Sequence, residues 1–381
     1  MEIWSLHQLH SASVEKLGLS QANSLRQYSE NLKENNLPTI FTLNHLAKIT
    51  GVTYHFLRST VLRNRELANY KMYAINKKSG GRRHIHSVNG KLLKVQTFIN
   101  EEILQNIITS KSSYAFSKGK GIKSCAQAHC GARWIFKFDL ENFFYSINEA
   151  QVYKIFNSLG YTSLLSFELA RICTTTRLPV ELSKLLKIGT FDPFNPINPY
   201  TIYNKNCFLG VLPQGAPTSP MLSNLVAKSL DTVLKELAST YGLTYTRYAD
   251  DLTFSTSMDL PKNLSIGELQ RQIIQQIRKQ GFKENSKKTV VLGPGSRKIV
   301  LGLLVDTAEP RLSKAMLKRI DRLVYASSKF GIIEAAEHEG FDSPIGFFNH
   351  VSGLISFVKH IDNRKYQYFS SKFPDFDLHL T

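Results

Sequence analysis

Asp250 and Asp251 are adjacent carboxylates inside LTYTRYADDLTFST, residues 243–256. β-Branched and aromatic residues flank them on both sides, so the stretch reads as a hairpin with the acids at its tip. Neighbouring carboxylates repel, and bound divalent cations commonly relieve that cost. A Mg²⁺ pair held by carboxylates supports in-line phosphoryl or nucleotidyl transfer. A solvated polar turn would carry the same letters, because Asp is common in turns. A second segment, RWIFKFDLENFFYSI (133–147), bears on the choice. Trp134, Phe136 and Phe138 alternate with Ile135, Lys137 and Asp139, the pattern of a strand. Asp139 falls opposite the aromatic face near the strand end. There it can either add a metal ligand from a neighbouring strand or simply cap its own strand.

A third segment, GVLPQGAPTSPMLSNLVAKSLDTVLKEL (210–237), is a loop that enters a helix. Ser219 is the candidate N-cap and Pro220 the candidate first helical residue. Leu222, Leu225, Val226, Leu230, Val233, Leu234 and Leu237 follow at helical spacing. Backbone N–H groups where such a loop opens a helix suit phosphates or a base pair. An ordinary loop–helix junction needs far less than the string LPQGAPTSP.

The surrounding chain must position these groups. Its 381 residues can hold a large core arranged as subdomains. A net charge of +18 favours a polyanionic partner and salt-dependent binding. No apolar run is long enough to span a bilayer; Ile299–Val305 has the length of a buried strand. MEIWSLHQLH lacks a basic-then-apolar signal pattern. The four cysteines, Cys125, Cys130, Cys173 and Cys207, form no zinc-type pairs. They read as reduced cytosolic thiols, although Cys125 and Cys130 flank His129.

Residues 1–36 read as a polar amino-terminal extension. TLNHLAKITGVTYHFLRSTVL, within 41–68, spells helix, turn at Gly51, helix. It superficially resembles a DNA-reading helix-turn-helix, but a packed helical start to a larger domain fits better. Gly80-Gly81 marks a hairpin between basic flanks. Further on come a helix near 149–159, a Pro- and Asn-rich insertion at 187–206, and the 243–256 hairpin. A helix over 265–280 follows, capped by Ser265 and Glu268 and ended by Gly281, then strands around 289–305. Residues 310–381 are helical and basic. Met316, Leu317, Ile320, Leu323 and Val324 face inward, with Lys314, Lys318, Arg319 and Arg322 around the rest. Ser343-Pro344 starts another helix.

Asp139 followed by Phe144, then LPQGAPTSP, then YADD, resemble in that order the A, B and C motifs of reverse transcriptases. KKSGGRRHI (77–85) resembles the fingers segment that meets the incoming nucleotide, and GFKENSKKT (281–289) the lysine-bearing D motif. The resemblance spans about residues 40–370 and is nearest to bacterial retron enzymes. The retron Asn-Ala-x-x-His motif stands here as Cys125-Ala126-Gln127-Ala128-His129, without the Asn. Val-Thr-Gly stands as Val300-Leu301-Gly302.

The resemblance implies an α+β right-hand polymerase with fingers, a palm built on a split βαβ, ferredoxin-like sheet, and a helical thumb. Its boundaries would be 1–40 for the extension, 41–130 fingers, 131–308 palm and 309–381 thumb. It also implies attack of a primer hydroxyl on the α-phosphate of a deoxynucleoside triphosphate. Asp139, Asp250 and Asp251 would hold two Mg²⁺ ions, with the Leu140 carbonyl as a further ligand. Arg83 and Lys77 or Lys78 would grip the triphosphate. Lys288 would donate a proton to pyrophosphate, or remain a surface lysine beside Lys287. Gln214 and Gly215 would line the nascent base pair, and Tyr248 the primer end. Phe144 would crowd the sugar 2′ position and favour DNA synthesis, unless it is the core member of the Phe143–Phe144 pair. His129 would contact RNA, unless it is a satisfied structural histidine, and Lys314, Lys318, Arg319 and Arg322 would track RNA, unless they are an ordinary solvated helix surface.

The implied partners are a cognate structured noncoding RNA, its single-stranded DNA product in a branched RNA–DNA molecule, and a neighbouring effector in antiphage defence. Host ribonuclease H would trim the RNA, because little room remains for a nuclease domain. A cytoplasmic location is expected. The competing readings are another bacterial reverse transcriptase class (group II intron-like, diversity-generating or defence type) and a non-catalytic RNA-binding protein on this scaffold. Phe144 disfavours an RNA-templated RNA polymerase.

Overall fold

A computed structural model describes residues 5–76, 80–186, 208–261 and 264–375. Lys77, Lys78, Cys207 and the 187–206 insertion lie outside the described residues. The chain forms two compact units, each discontinuous in sequence. The first comprises Met1–Ser117, Leu140–Leu234 and Ile274–Asn285; the second Lys118–Asp139, Lys235–Ile273 and Ser286–Thr381.

In the first unit the amino-terminal extension is a pair of helices, Leu6–Leu17 and Leu19–Glu34. Ser5 and Gln8 form a reciprocal capping box at its start. The expected helix-turn-helix follows as Leu43–Thr50 and Tyr54–Val61, with Gly51 left-handed at φ +65° between them. Arg171 Nη1 donates to the Val61 carbonyl, which ties the second helix into the core. Strands β1 (Tyr70–Asn76) and β2 (Arg82–Val88) pair antiparallel from Tyr70↔Val88 to Asn76↔Arg82. Helix Glu149–Ser158 is capped reciprocally by Asn148 and Gln151. Glu149 is buried between Arg63 and Arg171, and also accepts the Gly210 N–H at 3.0 Å. That ion cluster pins the root of the 210–219 loop. The helix beyond the loop departs from expectation by one residue. It runs Ser219–Val226 with Thr218 as N-cap, while Ser219 Oγ donates to the Pro213 carbonyl at 2.7 Å. The single helix expected through Leu237 is two, because Ala227 separates Ser219–Val226 from Lys228–Thr240.

The second unit holds a four-stranded sheet of β3 (Trp134–Asp139), β4 (Thr244–Tyr248), β5 (Asp251–Thr256) and β6 (Val290–Leu292). Its order is β4-β5-β3-β6, and all pairings are antiparallel. Helices separate β3 from β4 and β5 from β6, so this is the β-α-β-β-α-β arrangement of a ferredoxin-like sheet. Alternation puts Phe136, Phe138, Leu252 and Phe254 on one face, where Phe138 meets Phe254 edge-on at 5.9 Å. The expected buried strand Ile299–Val305 is instead a small hairpin of β7 (Ile299–Val300) and β8 (Leu303–Leu304). Leu301 and Gly302 turn it with φ +49° and +84°, the two positive angles a tight two-residue turn requires.

Four helices follow: Lys314–Phe330, Ile332–His338, Pro344–Ile361 and Asn363–Lys372. Ile320, Leu323, Val324, Phe347 and Val351 pack there with Val300, Leu303 and Ile135. Lys314, Lys318, Arg319 and Arg322 are exposed, as their spacing implies. Arg322 pairs with Glu339 at 2.9 Å, and Arg319 meets His350 at 3.0 Å. Among the described residues, no helix is long and apolar enough to cross a membrane.

Candidate active site

The three acids meet through strand register. Asp139 lies directly opposite Asp251 across β3 and β5, and Tyr248 opposes Asp251 across β4 and β5. Asp250 occupies the intervening turn with Ala249, whose φ of +55° is unusual for a residue bearing a side chain. Arg247, fully buried on the aromatic face, donates from Nη1 to the Ala249 carbonyl at 3.2 Å. That bond lies directly beneath the acid-bearing turn.

Like charges placed opposite one another destabilise a sheet. The cost appears in the acidities. Burial, then the charges of Asp251 and Asp139, push the Asp250 carboxyl up to about 6. Burial also raises Asp251, with Lys137 opposing and Asp139 reinforcing the shift. Lys288 Nζ donates to Asp139 Oδ2 at 2.7 Å. Burial lowers the Lys288 pKa, but the bond and attraction to Asp139 outweigh it, and the net shift is upward.

Among the described residues, no group of three or more His, Cys, Asp or Glu side chains stands in a metal-holding arrangement; Asp139 is engaged by Lys288. The chemistry of the set nevertheless fits hard divalent cations. It offers carboxylate oxygens, with two acids raised by burial and by neighbouring carboxylates, a cost that a cation would relieve.

The first unit brings together a different set. His86 N donates to the Gln214 carbonyl at 2.8 Å, docking the 213–216 loop on β2. Gly215, at φ +117°, permits that approach: a Cβ there would lie 2.7 Å from the His86 carbonyl oxygen. Arg83 is exposed on the same strand, opposite Ile75. Tyr145 Oη donates to the His84 carbonyl at 3.0 Å, and its ring meets His86 edge-on. Phe143 is the inward member of its pair, buried against Phe282 at 5.7 Å, and Phe144 is half-buried. The Leu140 side chain is buried.

His129, expected at an RNA contact or as a satisfied structural histidine, is 1% exposed inside the second unit, which fits the second. Its two ring nitrogens sit 2.7 Å from Ser255 Oγ and Thr246 Oγ1. Burial lowers its pKa to about 4, so the ring is neutral. Arg247 carries no role in the sequence motifs, but its signal is there: alternation with Tyr248 and Thr246 puts it on the apolar face, where a charged residue needs a reason.

Comparison with known proteins agrees with this arrangement. Residues 75–305 match the reverse transcriptase (RNA-dependent DNA polymerase) family, a span that contains every acid of the register pair and the turn. The chain is 31% identical over 366 residues to Retron Mx65 reverse transcriptase of Myxococcus xanthus, covering 95% of this chain and 78% of that one. Retron Ec86 reverse transcriptase of Escherichia coli is 29% identical over 338 residues, covering 88% and 89%. Retron Ec73 reverse transcriptase of Escherichia coli is 30% identical over 312 residues, covering 78% and 86%. The likeness therefore runs well beyond the acids, through most of both units, and the chain belongs to the retron reverse transcriptases, RNA-dependent DNA polymerases.

Proposed function

We propose that the protein copies part of one cognate structured RNA into single-stranded DNA, leaving a branched RNA–DNA molecule (msDNA), and that it does so in antiphage defence beside an effector protein. The observation that supports this most is the pairing of Asp139 with Asp251 next to the Asp250 turn, in a chain similar along most of its length to retron enzymes. Asp139, Asp250 and Asp251, with the Leu140 carbonyl, would hold two Mg²⁺ ions. Bound there, such ions activate the attacking hydroxyl and neutralise charge on the leaving pyrophosphate. Lys288 stays protonated at neutral pH and is the candidate proton donor to that leaving group. Arg83, with Lys77 or Lys78, grips the triphosphate; Gln214 and Gly215 line the nascent base pair; Tyr248 lies at the primer end. In this reading residues 41–130 act as fingers, 131–308 as palm and 309–381 as thumb, with Lys314, Lys318, Arg319 and Arg322 on the RNA backbone.

Phe144 is the half-buried aromatic assigned to the sugar 2′ position. Phe144→Ala should raise ribonucleotide use relative to deoxynucleotide by roughly 10-fold or more, the worth of a few lost van der Waals contacts and a relieved clash. Single-nucleotide incorporation with matched nucleotide pairs measures this. Unchanged discrimination in an active variant would remove Phe144 from that role.

The whole reading is tested by expressing the protein with its native flanking locus and washing the purified complex at high salt. Charge alone retains any RNA, and only at low salt. A cognate complex adds contacts to loops, stem shape and 2′-hydroxyls, and should persist. One abundant RNA should copurify, joined to DNA whose gel mobility changes after debranching. Heterogeneous RNA that washes away, with no attached DNA, would defeat the retron product while leaving DNA polymerisation intact.

A further inference from the structure

We infer that His129 is a positioning residue that braces the Tyr248–Asp251 hairpin from the face opposite Arg247. The inference rests on the assignment of Asp250 and Asp251 to catalysis. In the order β4-β5-β3-β6, β4 is an edge strand, held within the sheet by β5 alone. Its far end carries Tyr248 and leads into the left-handed Ala249 and then Asp250. A hairpin held so asymmetrically can twist at its tip, and a small displacement of catalytic groups is costly in rate.

His129 supplies the missing cross-tie. Its Nε2 meets Thr246 Oγ1 on β4 and its Nδ1 meets Ser255 Oγ on β5, each at 2.7 Å. Thr246 lies on the strand face of Tyr248, and Ser255 on the face of Asp251, because side chains alternate. Cys125 Sγ adds a contact to Thr246 Oγ1 at 3.3 Å. Cys125, His129, Thr246 and Ser255 are all buried, so water does not compete for these bonds. A neutral imidazole, donor at one nitrogen and acceptor at the other, pairs with two hydroxyls in either tautomer. His129 also precedes β3 by only a few residues, so one residue links the origin of the Asp139 strand to both strands of the hairpin. Arg247 holds the turn from the apolar face and His129 holds the strands from the polar face.

The test compares His129→Ala, His129→Gln, Thr246→Val, Ser255→Ala and the His129→Ala/Thr246→Val double variant of the full chain. His129→Ala should lower kcat for primer extension by roughly 10- to 100-fold. The KM for deoxynucleotide and the retained RNA should change little, because the residue touches neither. His129→Gln, whose amide can also donate and accept, should recover most of the rate. The double variant should be little worse than His129→Ala, since both break one unit. If His129→Ala proves insoluble, Thr246→Val and Ser255→Ala carry the same kcat test. A kcat within about twofold of wild type for folded variants, with only the melting temperature lowered, would overturn the inference and leave a purely structural histidine. Retained activity in Asp250→Asn would instead strike at the catalytic assignment itself.

Discussion

Asp250→Asn is expected to abolish primer extension and, in the absence of divalent metal, to stabilise the fold. The first effect follows from losing a carboxylate at the tip of the hairpin. Stabilisation of transition-state charge worth several kcal/mol should disappear, on the order of a 10³-fold loss in rate. The second follows from the acidity of the native group. The Asp250 carboxyl is pushed up to about 6 from 3.8, first by burial and then by Asp251 and Asp139. A raised folded pKa means that the stability contribution is complete below the unfolded value and is lost as pH rises through about 6. At pH 7 the ionised group therefore works against the fold, by about 1–3 kcal/mol. Asn keeps the shape and removes the charge. Thermal unfolding in chelator at pH 7 should show a higher midpoint for Asp250→Asn than for wild type. The gain should shrink as the pH falls toward about 4, where the wild-type acid is protonated, and also when Mg²⁺ is restored to the wild-type protein. Near-normal extension would sink the metal assignment. An unchanged midpoint in chelator would show that neither burial nor the neighbouring acids disfavours the ionised Asp250.

The hairpin and the strand of Asp139 were legible because alternation of apolar and polar residues reports strand faces directly. Trp134 to Asp139 and Leu243 to Thr256 each read correctly, and the sheet places them side by side. Alternation does not say what covers the polar face. Thr246, Thr253 and Ser255 are the polar members of the alternation, yet all three are buried, and His129 caps two of them. Motif likeness alone points His129 toward RNA, and its burial fits the alternative of a satisfied structural histidine. Local turns were hidden for a related reason. Ile299–Val305 is apolar almost throughout, and only Gly302 hints at the bend that makes it a hairpin. Helical periodicity likewise runs unbroken across Ala227, although the backbone breaks there. The resemblance puts Gly215 beside the nascent base pair. Its tertiary reason, a close approach to β2, involves a residue more than a hundred positions away and leaves no local trace.

Gly215→Ala should therefore impair nucleotide handling severely without touching the acids. The residue adopts φ +117°, which L side chains rarely tolerate. An added Cβ would also meet the His86 carbonyl oxygen at 2.7 Å and Ile85 Cγ2 at 3.1 Å. The carbonyl cannot simply retreat, because His86 sits in β2 opposite Met72 in an antiparallel ladder. The loop must withdraw, losing the 2.8 Å bond from His86 N to the Gln214 carbonyl. Strain and the lost bond together should cost about 2–3 kcal/mol. A shift of Gln214 by about 1 Å should lower kcat/KM for deoxynucleotide by on the order of 100-fold. Asp139, Asp250 and Asp251 belong to the second unit and keep their register, so retained RNA and the response of stability to chelator should match wild type. Gly242→Ala is the control for backbone strain alone: its φ is +64°, and nothing lies within 4 Å of an added Cβ. It should cost about 1 kcal/mol in stability and leave kcat/KM close to wild type. If Gly215→Ala behaves like Gly242→Ala, the loop does not depend on its contact with β2, and Gln214 is not held in place by that strand.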